Sequence, residues 1–177
     1  MLWYTNVAED AGILLEDLAW GALFFDADNN GWLDLFIGTG TSLYTDYPAV
    51  LNFYPDADNG FFLNDGGSFP LEAAFDNVLT DNELTFSSAY SDHNRDGAMD
   101  FVSHRMGPRA RLLNGVPNNH HWIQITLEPS SGNMDAIGSV VTAWKGGVGD
   151  MRMMTCGSEY LSQNSRRLHF GFGSSTS

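Results

Sequence analysis

Apolar side chains in this sequence fall in short runs separated by Gly, Asn and Asp, and helical spacing is weak over residues 1–40. Leu23-Phe24-Phe25 and Leu35-Phe36-Ile37 are aromatic and β-branched runs bounded by glycine, which predicts two strands flanking a polar stretch. A strand or turn is expected at Trp3 to Val7 and a loop through Gly12. Further on, Trp122-Ile-Gln-Ile-Thr-Leu127 alternates as a half-buried strand does, Ser139-Val-Val-Thr-Ala-Trp144 predicts another, and Lys145-Gly-Gly147 a turn between neighbours. Met151 to Thr155 reads as a third strand of this half. The pattern is that of an all-β protein, with a boundary in the Gly- and Pro-bearing segment Pro108 to Pro117: a first region at 1–116, built of units at about 1–60 and 61–113, and a small β domain at 117–177.

The polar stretch between the first two runs is Asp26-Ala-Asp28-Asn-Asn30-Gly31-Trp32-Leu-Asp34. Oxygen-bearing side chains at alternate positions, a glycine at the reversal and a closing carboxylate are what a calcium ion needs, since it takes roughly 6 to 8 oxygens from a tight loop. Asp26, Asp28, Asn30 and Asp34 are the expected side-chain ligands, with the Trp32 carbonyl. The pattern returns as Asp92-His-Asn94-Arg-Asp96-Gly97-Ala98-Met-Asp100, where Asp92, Asn94, Asp96, Asp100 and the Ala98 carbonyl take the same places. The offset, 92 minus 26, is 66 residues, and it also aligns Trp3 with Phe69, Asp10 with Asp76, Trp20 with Phe86 and Phe24 with Tyr90. A whole structural unit is therefore repeated. An EF-hand requires a bidentate acid at loop position twelve, and Ile37 and Ser103 stand there, so strand, calcium loop, strand is the predicted unit.

These two loops, each followed by an apolar run (Leu35-Phe36-Ile37 and Phe101-Val102), resemble the calcium-binding FG-GAP (VCBS) repeats of integrin-alpha-type β-propellers. Phe62-Leu63-Asn64-Asp65-Gly66-Gly67-Ser68-Phe69 is similar to the strand-turn-strand segment between such loops. The resemblance implies a partial β-propeller of two blades holding two calcium ions. In the second half, His121-Trp122-Ile123 with Leu127, Asn133 through Ala136-Ile137-Gly138, Gly157 with Tyr160-Leu-Ser162-Gln163, and His169-Phe170-Gly171-Phe172-Gly173 resemble the successive motifs of the ASPIC/UnbV domain. That domain commonly follows FG-GAP repeats in bacterial secreted proteins and in cartilage acidic protein. Met134 stands where that family usually has Arg, and the family continues past the His-Phe-Gly segment with another strand, whereas this chain stops at Ser177. The resemblances imply an extracellular, cell-surface or periplasmic interaction module with a protein or carbohydrate ligand. The expectation is a fragment of a larger propeller that lacks blades of its parent and oligomerises when isolated. An accessory or catalytic propeller of a secreted hydrolase, with its active residues in other blades, is the alternative.

Charge sharpens this picture. Residues 1–94 hold 16 acids and no Lys or Arg, whereas 95–177 hold 8 basic residues and 6 acids, so the net charge of −14 belongs to the repeat half. Such a field repels phosphate backbones and attracts divalent cations; nucleic acid is excluded as a partner on this ground. No apolar run reaches the roughly 18 residues of a membrane span, and Met1-Leu-Trp-Tyr-Thr-Asn lacks the regions of a signal peptide. Cys156 is the sole cysteine, expected as a small buried hydrophobe. No nucleophile elbow, zinc-protease motif or phosphate loop occurs, and Gly38-Thr-Gly40 lacks the third glycine of a dinucleotide fingerprint, so no catalytic residue is predicted. His120-His121 would point to opposite faces of a strand and chelate poorly, and His169 is expected to be structural. The aromatic stretch at 41–60 is read as a surface loop, and Asp56-Ala-Asp58-Asn-Gly60 as a turn because its glycine falls one position early.

Overall fold

The computed structural model describes residues 3–13, 18–40, 58–69, 71–72, 84–105 and 109–174, which form an all-β structure of several small sheets, none closed. The aromatic stretch at 41–57, including Asp56, lies outside them. Residues 3–7 form neither helix nor strand. They lead instead into a single helical turn, α1 (Ala8–Ala11), which ends on Gly12 in the left-handed region at φ 79°. A side chain there would also strike the Phe69 carbonyl, whose oxygen lies 2.7 Å from the place a Cβ would take.

The first sheet is an antiparallel meander of β1 (Ala19–Phe25), β2 (Asp34–Thr39), β3 (Gly60–Leu63) and β4 (Leu71–Glu72). The second is a three-stranded meander of β5 (Thr85–Ser91), β6 (Asp100–Arg105) and β7 (Arg111–Leu113). Adding 66 to the bounds of β1 and β2 gives those of β5 and β6, and even the register irregularity recurs, between Ala19 and Gly21 and between Thr85 and Ser87. The repeat read from the two loops is thus a repeat of strands and pairing. It breaks where the connection shortens: residues 40–59 separate β2 from β3, while 106–110 separate β6 from β7.

The two sheets pack on each other through alternate residues. Leu23 and Phe25 of β1, Phe36 of β2, Phe61 of β3, and Met99 and Phe101 around β6 form one buried cluster. The rings of Phe36 and Phe101 lie 5.0 Å apart, and Phe25 stacks on Tyr90 at 5.6 Å, so aromatic contacts join the two sheets as well as running within the first, where Phe25 and Phe36 both meet Phe61. Close approach is set by glycine: a Cβ on Gly38 would meet Thr85 Cγ2 at 2.9 Å. Trp20 and Phe86, equivalent in the repeat, meet edge to face at 5.0 Å.

The remaining strands form two ribbons, β8 (His121–Ile125) with β11 (Leu168–Gly173) and β9 (Val140–Lys145) with β10 (Val148–Met153). The expected turn lies at Gly146-Gly147, with φ of 52° and 84°, joining Lys145 directly to its partner Val148. Ala136, Met154, Leu168 and Phe170 make a second buried cluster, with Ile125, Val141 and Phe172 packed against it. Cys156 is exposed, contrary to the expectation of a buried thiol: Met154, just after β10, takes the place in the second cluster, and Cys156 beyond it packs into neither.

Candidate metal centre

The chain turns between β1 and β2 within residues 26–33, and the turn is held by its own carboxylates. Asp26 Oδ2 accepts from Gly31 N at 2.9 Å, Asp28 Oδ1 from Asn30 N at 3.0 Å, and Asp34 Oδ2 from Ala27 N at 2.7 Å. Asn29 and Gly31 sit in the left-handed region, at φ 61° and 96°, which lets successive side chains converge on the inside. One oxygen each of Asp26, Asp28 and Asp34 lies within 4.8 Å of the others, the one such cluster of ligating side chains among the described residues. Asn30 points its Oδ1 at Trp32 N, 2.7 Å away, and its amide at Asp28 Oδ2 and the Asn64 carbonyl.

Burial and mutual repulsion set the electrostatics of this cluster. Asp26 is 2% exposed, and its Oδ1 is buried with no hydrogen-bond partner. Burial raises the Asp26 carboxyl from 3.8 to about 6, against the opposing hydrogen bond from Gly31, with Asp28 adding to the rise. Asp34 is raised to about 7, again by burial first, with the Asn64 and Ala27 amides opposing. Buried carboxylates this close repel one another, and a hard divalent ion bound by the free oxygen would offset both burial and repulsion. Donor type, crowding and the orphaned oxygen all fit calcium; Asp26, Asp28 and Asp34 would hold it.

The second loop has the same backbone course, with Arg95 and Gly97 at φ 63° and 90°, but its oxygens are otherwise engaged. Asp92 accepts from Asp96 N, Gly97 N and the Gln124 amide; Asp96 from Ala98 N and the Asn94 amide; Asp100 from His93 N and Gly115 N. Asp92, Asp96 and Asp100 are not drawn into a cluster as tight as that of the first loop. Asn94 Oδ1 accepts from Asp96 N at 3.1 Å.

Both loops lie beneath the β8–β11 ribbon. The ring of Trp122 covers Gly97, where a Cβ would come within 2.0 Å of it, and Gly171 lies against the first loop, where a Cβ would be 2.1 Å from Asp26 Oδ2. His169 is buried. Its Nε2 lies 2.6 Å from Asn29 Oδ1, and because the Asn29 amide donates to the Gly97 carbonyl at 2.9 Å, Nε2 is the nitrogen that carries hydrogen. The Nδ1 then accepts from Gln124 Nε2 at 3.3 Å, and burial pulls the imidazole down from 6.5 to about 4, so it is neutral. Asp28 contributes its carbonyl to Asn118 Nδ2 and His120 Nδ1, which places His120 as a clamp on the first loop. Asn29 lies within the first loop but not at an expected ligand position, and Gln124 and His169 do not stand out in the sequence as partners of these loops. A cleft of about 640 Å³ opens beside the first loop, between Trp32 and Asn64 on one side and Lys145, Val148 and Phe172 on the other.

No described helix is long and apolar enough to cross a membrane. No curated protein matches the chain. Its C-terminal segment, which supplies β9, β10 and the β11 strand of the ribbon over these loops, is similar to one known family: residues 129–177 match the model of ASPIC and UnbV.

Proposed function

We propose that this chain is a calcium-stabilised, non-catalytic interaction module, with two FG-GAP-type propeller blades each carrying one ion and an ASPIC/UnbV-like unit packed over them. The observation that carries the reading is the cluster of buried Asp26 and Asp34 with half-buried Asp28, and its unpartnered Asp26 oxygen. The strand repeat at 66 residues supports the blade assignment, since each unit is an antiparallel meander with an acidic loop between its first two strands. The first loop is the better prepared of the two and fills first; the second must release hydrogen bonds to bind its ion. An extracellular or periplasmic setting, where calcium is abundant, suits this chemistry. The ligand is a protein or carbohydrate, and the cleft beside Trp32 is a concave surface suited to it.

Calorimetric titration of the purified chain with calcium is expected to show two ions bound, one lost in Asp28→Ala and the other in Asp96→Ala. If the double variant binds calcium and melts as the parent does, the loops are not the sites.

A further inference from the structure

The two loops are joined to each other by a side-chain hydrogen bond. Asn29 stands between Asp28 and Asn30 in the first loop, and its amide holds the carbonyl of Gly97, which stands between Asp96 and Ala98 in the second. The same side chain accepts from His169, and the Asn29 carbonyl accepts from Gly173 N at 2.7 Å. From the other side, Gln124 donates to Asp92 Oδ2 at 2.8 Å while its own oxygen is held by Arg167 at 3.1 Å. Asn29 and Gln124 thus tie each loop, at a ligand or its immediate neighbour, to the same ribbon.

We infer that the two calcium sites are energetically coupled through Asn29, and that the β8–β11 ribbon, through Gln124 and His169, is the wall that transmits the coupling. This rests on the calcium reading of the loops. An ion in the first loop draws in Asp28 and Asn30 and so fixes the left-handed turn at Asn29. The fixed amide then holds Gly97, the residue at which the second loop reverses. The second ion therefore meets a loop whose ordering has already been accomplished, and positive coupling follows. Asn29, Gln124 and His169 are positioning residues, since none is expected to touch an ion.

The test uses the full chain and calcium alone. Asn29→Gly removes both side-chain links, leaves every ligand in place, and suits φ 61°. The affinity of the second loop is measured by calorimetry in the parent, Asp28→Ala, Asn29→Gly and the double variant. In the parent background, Asp28→Ala is expected to weaken the second loop at least about fivefold, the lower end of typical coupling. In the Asn29→Gly background it should weaken it no further. Hydrogen exchange gives an independent reading: calcium should protect the Gly173 amide in the parent. If Asn29→Gly does not fold, Gln124→Leu cuts the other strut and is expected to reduce the coupling likewise. Two ions bound with no effect of Asp28→Ala on the second loop overturns the coupling alone. A chain that binds no calcium overturns the coupling and the proposed function together.

Discussion

Asp26 shows how one atom can carry a functional argument. Its Oδ2 is used by the Gly31 amide, its Oδ1 by nothing, and the residue is almost fully buried. In the metal-free fold Asp26 and Asp34 hold protons up to about 6 and 7, against 3.8 in the unfolded chain. Between those values the folded state binds more protons than the unfolded, so metal-free stability falls as pH rises through this window. Calcium bound there as proposed would displace those protons, so its affinity is expected to rise over the same range. The gap in melting temperature between calcium and chelator should therefore widen from pH 5 to pH 8, and melts in paired buffers measure it. Glu159 makes a separate case. Burial raises it from 4.5 to about 8, only partly offset by the Ser88 hydroxyl at 3.1 Å, and its Oε1 is buried without a partner. Its contribution to stability is lost as pH rises from 4.5 toward 8. Glu159→Gln should melt with the parent at pH 4 and above it at pH 8; equal melts at both would mean that the carboxyl is hydrated.

At the scale of elements, the strands flanking the acidic loops and those of β8 and β9 were legible because each run has its own period and its own punctuation. The 66-residue offset, read from two acidic loops, predicted β5 and β6 from β1 and β2. Other features were not legible. β7 falls within the segment read as a boundary, and β11 was not read as a strand. The helical turn α1 is too short for any periodicity to announce, and the docking of the ribbon on the loops has no local signal. The Asn29–His169 bond spans 140 residues and the Asn29–Gly97 bond 68, and no local pattern encodes contacts at such separations. His169 could be expected to be structural, but its partner could not. The ribbon also yields a mutational prediction. A Cβ on Gly97 would collide with the Trp122 ring, whereas one on Gly66 meets open space, though both glycines have positive φ. Gly66→Ala should cost about 1 kcal/mol, the strain of a side chain in the left-handed region. Gly97→Ala should cost about 1–3 kcal/mol more by forcing Trp122 off the loop. Denaturant unfolding of the two variants measures the difference, and equal costs would mean that Trp122 does not hold the loop.

For the molecule as a whole, the aromatic cluster joins the two sheets and the ribbon joins both loops, so the parts are expected to unfold together. Phe36 is fully buried between Phe61 and Phe101. Phe36→Ala should destabilise by about 3–5 kcal/mol, and fluorescence and circular dichroism melts should remain coincident. Calcium bound as proposed is expected to add to this by mass action, about 2.7 kcal/mol at a hundredfold excess over the dissociation constant. All of this turns on whether a hard cation sits among Asp26, Asp28 and Asp34. An anomalous difference map from crystals of the chain grown in calcium answers that at the atom concerned. A peak is expected within about 2.3–2.6 Å of Asp26 Oδ1 and of oxygens from Asp28 and Asp34. An ordered loop with no peak there, at a calcium concentration that saturates binding in solution, would contradict it.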